Sequence, residues 1–84
     1  MAYQIKIKRS AEKEYKNLEN NIQKKVKERI FSLAEIQRPE KSKKLQNRDG
    51  YRVRVSDYRI IYIIDDDTEL VEIIRIAHRK DIYR

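Results

Sequence analysis

Residues 51–64 of the chain read YRVRVSDYRIIYII, a pattern typical of two adjacent β-strands. Apolar and basic side chains alternate over the first five residues, so the valines face one side of a strand and Arg52 and Arg54 face the other. The next two polar residues suit a short turn. Residues 59–64 are then almost continuously apolar and β-branched, as in a central strand covered on both faces. This segment predicts a hairpin in the middle of a sheet.

The residues at the start of the chain predict one strand and a first helix. Apolar and polar side chains alternate over residues 3–8, the period of a half-buried strand. Ser10 is a favourable N-cap for a helix that begins at Ala11, and Glu12 and Glu14 suit its first turn.

A second, longer helix is predicted to follow. Asn20 and Gln23 resemble a capping box at its start, and Pro39 closes the helical region. Apolar residues recur at steps of three and four along this helix, namely Ile22, Val26, Ile30, Leu33 and Phe31. The two helices therefore form a hairpin with one apolar face.

The residues around the central hairpin complete the predicted sheet. The single glycine, in Asp49-Gly50, marks a turn or bulge before it, and residues 65–68 form the next hairpin loop. Residues 70–77 form a last strand. The order β-α-α-β-β-β predicts one α+β domain over residues 1–84, with the helical hairpin packed on one face of a small, mainly antiparallel sheet.

Composition limits the classes of function. The 84 residues carry a net charge of +7, which indicates a polyanion or an acidic protein as partner. There is no cysteine, and therefore no disulfide, thiolate zinc site or thiol nucleophile. No apolar run approaches the length of a membrane span, and the N-terminus lacks a signal-peptide core. We expect a cytoplasmic protein that does not cross a membrane.

The positive charge is concentrated in the middle of the chain. Residues 38–59 hold eight basic and three acidic side chains, a net charge of +5. The loop part of this segment supplies the candidate RNA-binding residues Lys41, Lys43, Lys44 and Arg48.

The available side chains favour one kind of chemistry. With one histidine, one glycine and no Glu/His pair at helical spacing, neither a metal site nor a glycine-rich phosphate loop is expected, and no cofactor is predicted. Arginine binds phosphate in bidentate fashion but is a poor general base, and His78 is the candidate for proton transfer near neutral pH. These groups fit metal-free cleavage of RNA, in which the substrate's 2′-hydroxyl attacks the adjacent phosphate.

Each of these residues also has a purely structural interpretation. Arg52 and Arg54 could be solvated charges on an edge strand. Arg59 could form an ion pair with Asp57 or Asp81, and His78 could be a hydrogen-bonded structural histidine. Tyr83 could simply pack the C-terminus against the sheet.

Three motifs together resemble the RelE/ParE superfamily of toxin–antitoxin toxins, and within it the RelE-like mRNA interferases. They are the basic-x-basic strand at Arg52 and Arg54, Asp-Tyr-Arg-x-x-Tyr over residues 57–62, and His-Arg-x-x-x-Tyr over residues 78–83. The resemblance covers essentially the whole chain. It implies a RelE-like, microbial-ribonuclease-like fold and an endoribonuclease that cuts mRNA in the ribosomal A site and arrests translation.

The resemblance also implies roles for single residues. Arg52 and Arg54 match basic positions around the scissile phosphate, and Arg59 matches a phosphate-binding arginine. Arg79 matches the arginine assigned to transition-state stabilisation or protonation of the leaving group, and Tyr83 matches a tyrosine that orients or stacks the substrate. Well-studied RelE toxins carry lysine at the first two positions, so His78 and Tyr83 become the candidate bases here, with Lys43 or Lys44 as further alternatives.

The expected partners follow from the same resemblance. They are an acidic, RelB-like antitoxin, the ribosome with its mRNA, and operator DNA reached through the antitoxin in a toxin–antitoxin heterotetramer. The alternative within the superfamily is a ParE-like toxin, which keeps the fold but inhibits DNA gyrase and has no ribonuclease activity.

Overall fold

The computed structural model describes residues 2–46 and 48–82, the last of these by its backbone alone. The elements follow in the order β1 (Gln4–Ile7), α1 (Arg9–Lys16), α2 (Asn20–Glu35), β2 (Lys43–Lys44), β3 (Tyr51–Val55), β4 (Tyr58–Asp65), β5 (Leu70–His78) and α3 (Arg79–Ile82). The strands form one sheet in the order β1-β5-β4-β3-β2. β1 runs parallel to β5, and the other three pairs are antiparallel. The predicted α+β class, with a helical hairpin on a mainly antiparallel sheet, is confirmed.

The core lies between the α1–α2 hairpin and one face of the sheet. α2 contributes Val26, Ile30 and Leu33, each at most 3% exposed, so the predicted apolar face of this helix is confirmed. From the sheet, the buried core residues are Val53, Val55, Ile60, Tyr62, Val71, Ile73 and Ile76. The opposite side of the sheet, which we call the open face, carries Arg52, Arg54 and Arg59.

The helix starts differ from the predictions. α1 begins at Arg9 with Lys8 in the N-cap position, and no side chain caps it, so the N-cap assigned to Ser10 is wrong. α2 has Glu19 at its N-cap and also lacks a side-chain cap. The Gln23 side chain instead donates a hydrogen bond of 3.0 Å to the Tyr15 carbonyl, which links α2 to the last turn of α1. In a capping box the Gln23 side-chain oxygen would accept a hydrogen bond from the N-cap N–H, whereas here its amide nitrogen donates to an orphan carbonyl at the end of α1.

The surface of the helical hairpin includes an apolar groove. Phe31 is 58% exposed, which corrects its assignment to the apolar face of α2. The groove, of about 190 Å³, is lined by Ile7, Tyr15, Lys27, Ile30 and Phe31. The Lys27 ammonium lies 6.0 Å from the centre of the Phe31 ring, so a cation borders the groove.

The central strand β4 is only partly covered on its open face. Ile61 is 3% exposed although it does not belong to the core cluster between the sheet and the helices. Its direct neighbours in the adjacent strands are Arg52 and Arg75, whose aliphatic stems can cover an apolar side chain. Ile63 is 38% exposed. The prediction that β4 is covered on both faces is therefore confirmed for the first part of the strand and wrong for Ile63.

Gly50 makes the turn before β3 possible. It has φ = +127°, and a Cβ atom at this position would lie 3.0 Å from the Tyr62 carbonyl oxygen and 3.1 Å from Leu45 Cδ1. Only glycine tolerates both the conformation and the close approach. The loop that carries the basic residues is thereby held against the middle of the sheet.

The structure adds two short elements to the predicted order. β2 contains two residues and α3 contains four, both too short to give a periodic pattern in the sequence. β2 places Lys43 directly opposite Arg52, which extends the sheet by a basic edge. None of the helices described is long and apolar enough to cross a membrane.

Candidate functional site

Strand register brings three arginines together on the open face. Arg54 of β3 lies directly opposite Arg59 of β4, and Arg52 is the diagonal neighbour of Arg59. Directly opposed residues have Cβ atoms about 5 Å apart, and diagonal neighbours about 7–8 Å. Like charges directly opposite each other destabilise a sheet. Such a cluster therefore indicates a binding role for an anion more than a structural one.

The three arginines line a common cleft with two lysines. This arginine cleft has a volume of about 240 Å³ and is lined by Lys41, Lys43, Arg52, Val53, Arg54 and Arg59. Two of the four predicted RNA-binding residues, Lys41 and Lys43, thus lie beside the predicted catalytic arginines. The volume is below the range of about 300–1,000 Å³ that is usual for small-molecule pockets. It suits a phosphate and part of a sugar.

The turn between β3 and β4 orients Arg54. The Arg54 Nε–H donates a hydrogen bond of 2.9 Å to the carbonyl oxygen of Ser56. Ser56 has φ = +56°, the left-handed conformation that this two-residue turn requires. A guanidinium has five N–H donors in all, so one can fix its orientation while others bind a ligand.

Lys44 and Arg48 lie outside the arginine cleft. Lys44 pairs with Tyr51 and lines a groove at the β2 edge that shares Lys43 and Arg52 with the arginine cleft. Arg48 lines a depression of about 340 Å³ with Ile61 and Arg75. The same depression contains Glu14, which forms an ion pair of 3.5 Å with Arg75, so Arg48 lies beside the open face among charges of both signs.

Arg79 starts α3 next to the β3–β4 turn. Its backbone N–H donates a hydrogen bond of 2.8 Å to the Asp57 carbonyl, one residue before β4 begins. Its side chain is exposed. The backbone of Arg79 is therefore held near the end of the sheet where Arg54 and Arg59 lie, although its side chain is not one of those that line the arginine cleft.

His78 lies on the side of the sheet opposite to the arginines. It pairs with Tyr58, whereas its neighbour Ala77 pairs with Arg59, so strand alternation turns His78 toward the helix-covered face. Its ring meets the Tyr58 ring edge-on at 5.3 Å, and its Nδ1 accepts a hydrogen bond of 3.3 Å from the Lys80 N–H. The structure thus does not bring His78 together with the arginine cleft. Tyr83 lies outside the described residues.

One member of the basic segment has a structural environment. Arg38 donates a hydrogen bond of 3.1 Å to the Tyr51 hydroxyl and forms an ion pair of 2.8 Å with Asp66, which also accepts a hydrogen bond from Tyr3. The bonds from Arg38 and then Tyr3 hold the pKa of Asp66 below its usual value, and the bond to Asp66 raises the pKa of Tyr3. Arg38 thus connects the start of the chain, the loop after α2 and the β4–β5 loop.

Two basic residues of α2 lie close to Arg54 and were missed in the sequence. A second cleft, which we call the α2 cleft, has a volume of about 410 Å³ and is lined by Lys25, Glu28, Arg29, Ser32, Arg54, Val55 and Ser56. Lys25 and Arg29 are four residues apart and therefore share one side of the helix. That spacing was visible in the sequence, but the packing of this side beside β3 was not.

Guanidinium and ammonium groups dominate the chemistry of these clefts. They can bind phosphate oxygens and stabilise negative charge that develops on them. Within residues 2–46 and 48–82, no three histidine, cysteine, aspartate or glutamate side chains are grouped so that they could hold a metal ion.

Comparisons with known proteins give one family. Residues 5–83 match the family model described as the ParE toxin of the type II toxin–antitoxin system parDE. A comparison with curated protein sequences gives no match.

Solved structures of RelE toxins share the fold. The toxin–antitoxin complex RelBE2 from Mycobacterium tuberculosis superposes with a TM-score of 0.83 and 27% identity, over 94% of this chain and 100% of the other. The isolated E. coli RelE toxin superposes with a TM-score of 0.81 and 26% identity, over 98% of this chain and 92% of the other. For the RelB-RelE complex from Methanococcus jannaschii the TM-score is 0.75 and the identity 26%, over 93% of this chain and 94% of the other.

The family match extends over nearly the whole chain, and each of these RelE structures superposes on more than nine-tenths of it. The resemblance drawn from the three sequence motifs is thereby confirmed. The chain belongs to the ParE toxin family, and is a toxin of a type II toxin–antitoxin system within the RelE/ParE superfamily.

Proposed function

We propose that this toxin is a ribosome-dependent endoribonuclease that cleaves mRNA in the A site without a metal ion and so arrests translation. The observation that carries the proposal is the arginine cleft, where Arg52, Arg54 and Arg59 converge with Lys41 and Lys43. Three guanidinium groups around a space of phosphate size can bind the oxygens of an RNA phosphate. The likeness to RelE structures supports the same assignment.

In the proposed reaction the RNA supplies its own nucleophile. The 2′-oxygen attacks the adjacent phosphorus, the bond from phosphorus to the 5′-oxygen breaks, and a 2′,3′-cyclic phosphate and a 5′-hydroxyl end remain. Arg52, Arg54 and Arg59 would stabilise the charge on the pentacoordinate phosphorus, each donor contributing on the order of 2–4 kcal/mol. Arg79 would stabilise the departing 5′-oxygen, which becomes the 5′-hydroxyl by taking a proton from Arg79 or from water.

The proton of the 2′-hydroxyl needs an acceptor. We assign this role to Lys43 or Tyr83, since Lys43 lines the cleft opposite Arg52, whereas His78 faces the other side of the sheet. The substitutions Tyr83→Phe and Tyr83→Ala separate the roles of the ring and the hydroxyl. If the Phe variant is active and the Ala variant is not, Tyr83 stacks on a base and Lys43 is the acceptor. If both are inactive, the phenol itself takes part in proton transfer.

The proposed regulator is an acidic antitoxin. The RelE structures from M. tuberculosis and M. jannaschii are complexes with RelB-type antitoxins. Here the groove around Phe31 and Ile7 is an apolar binding surface bordered by Lys27. Such a surface suits an amphipathic helix of the antitoxin whose apolar side is flanked by acidic residues. We also propose that the complex binds operator DNA through the antitoxin, in a heterotetramer.

A second candidate function is inhibition of DNA gyrase. It is favoured by the family model, which is described as the ParE toxin. In this case the arginine cleft would contact gyrase and no RNA would be cut.

Induced expression separates the two functions. We expect translation arrest, with transcripts cut inside codons as mapped by primer extension, while plasmid supercoiling stays normal. Arg59→Ala and Arg79→Ala should each abolish the arrest in a protein that still folds. Loss of supercoiling with intact transcripts would instead support gyrase as the target.

A further inference from the structure

The α2 cleft is a second basic site on the molecule. Lys25 and Arg29 enter it from one side of the helix, and Arg54 enters from β3, against the single carboxylate of Glu28. Its only apolar lining residue is Val55, which is buried. Protein-binding sites usually have an apolar centre. This cleft has the lining expected of an anion site.

Arg54 belongs to both clefts. It is one of the residues that line the arginine cleft and also one of those that line the α2 cleft. Its Nε–H is held by the Ser56 carbonyl in the turn between the two. A polyanion that is bound at the arginine cleft and extends past Arg54 would therefore reach Lys25 and Arg29.

We propose that the α2 cleft binds the sugar-phosphate backbone of the RNA strand next to the scissile phosphate, with Lys25 and Arg29 each contacting one phosphate. This inference rests on the proposed ribonuclease function and extends its substrate site from one phosphate to a segment of single strand. Cations on a helix side beside a sheet edge form a groove that tracks a backbone without reading bases. The cleft thus contributes affinity, independent of sequence.

The test measures binding to two lengths of RNA. The probes are fluorescein-labelled single-stranded oligouridines of twelve and three nucleotides, carrying 2′-O-methyl groups so that they cannot be cleaved. The variant Lys25→Gln/Arg29→Gln keeps most of each aliphatic stem and removes both charges. Its matched control is Lys13→Gln/Lys24→Gln, which makes the same charge change at exposed helical positions outside the clefts described above.

We expect the Lys25→Gln/Arg29→Gln variant to bind the twelve-nucleotide probe about 10- to 30-fold more weakly at about 0.1 M salt. The slope of log K against log salt should fall by about 1.4, because each phosphate contact on a single strand contributes about 0.7. Its binding of the three-nucleotide probe, and both affinities of the control, should change less than about twofold.

Other outcomes overturn the inference in distinguishable ways. If the two double variants bind both probes with equal affinity while the parent chain binds and cuts RNA, the α2 cleft is not an RNA site. The proposed ribonuclease function is then unaffected. Equal losses on both probes mean that the substitutions disturb the arginine cleft. Loss of binding to a labelled twelve-residue polyglutamate, with RNA binding kept, makes the α2 cleft a protein site. A parent chain that binds neither probe overturns the α2 cleft as a site for single-stranded RNA, whereas the ribosome-dependent function fails only if mRNA on the ribosome stays intact.

Discussion

At the residue scale, Arg54 and Arg59 face each other across β3 and β4. Directly opposed like charges destabilise a sheet, whereas opposite charges at such positions contribute roughly 0.2–1 kcal/mol. A sheet that needed only stability would carry an opposite charge or a neutral residue at one of these positions. The arrangement is understandable if both guanidinium groups are there to bind the same phosphate.

Arg54→Gln tests this interpretation. We expect cleavage to fall by about 30- to 1,000-fold, which corresponds to the loss of one charged donor worth about 2–4 kcal/mol. The substitution removes the repulsion between Arg54 and Arg59 and also the hydrogen bond to Ser56. Because these two effects oppose each other, the melting temperature should stay the same or rise slightly. Arg9→Gln, an exposed arginine at the start of α1, serves as control. A fall in stability that accompanies the loss of activity would make Arg54 a structural residue.

Asp66 gives a prediction on pH. Its pKa is lowered by hydrogen bonds from Arg38 and Tyr3, so its carboxylate stabilises the fold above the unfolded-state pKa, and this contribution is lost as the pH falls through the folded-state value. Asp66→Asn should therefore melt at a lower temperature than the parent chain at pH 7, and the difference should shrink as the pH falls from about 5 to about 2. Asp67→Asn is the neighbouring control. A difference that persists unchanged at low pH would show that the charge of Asp66 is not involved.

At the scale of single elements, strands were easier to predict than helix ends. The alternation over residues 51–55 correctly assigned Val53 and Val55 to the core and Arg52 and Arg54 to the other face. The caps proposed at Ser10 and Asn20 were wrong, because the chain can satisfy helix ends with other groups, as Gln23 does at the end of α1. Elements of two and four residues, β2 and α3, have no period to detect.

Gly50 tests how the basic loop is attached to the sheet. Gly50→Ala should destabilise the protein by about 1–3 kcal/mol, because it forces an L-residue to φ = +127° and puts Cβ against the Tyr62 carbonyl. That corresponds to a fall in melting temperature of roughly 4–8 °C for each kcal/mol in a domain of this size. The exposed neighbour Asp49→Ala should change stability by less than about 0.5 kcal/mol. Equal melting of the two variants would contradict the account of this turn.

At the scale of the whole molecule, both helices of the hairpin cover the same side of the sheet, and the other side stays open for arginines. Strand alternation was enough to place Arg52 and Arg54 on one face, and only the family resemblance added Arg59 to them. The sequence did not predict the face of His78, which depends on its pairing with Tyr58. It also did not predict that α2 packs beside β3. Tertiary packing decides which distant residues join a site, and a single sequence does not encode that packing as a pattern.

The central claim is that the substrate's own 2′-hydroxyl is the nucleophile. It is tested most directly with purified protein and ribosomes that carry an mRNA in which the nucleotide before the cleavage point is 2′-deoxy. We predict rapid cleavage of the all-ribose mRNA, with a 2′,3′-cyclic phosphate at the new end, and no cleavage at the deoxy position. Cleavage that continues at the deoxy nucleotide, or an all-ribose mRNA that stays intact while gyrase is inhibited, would contradict the account.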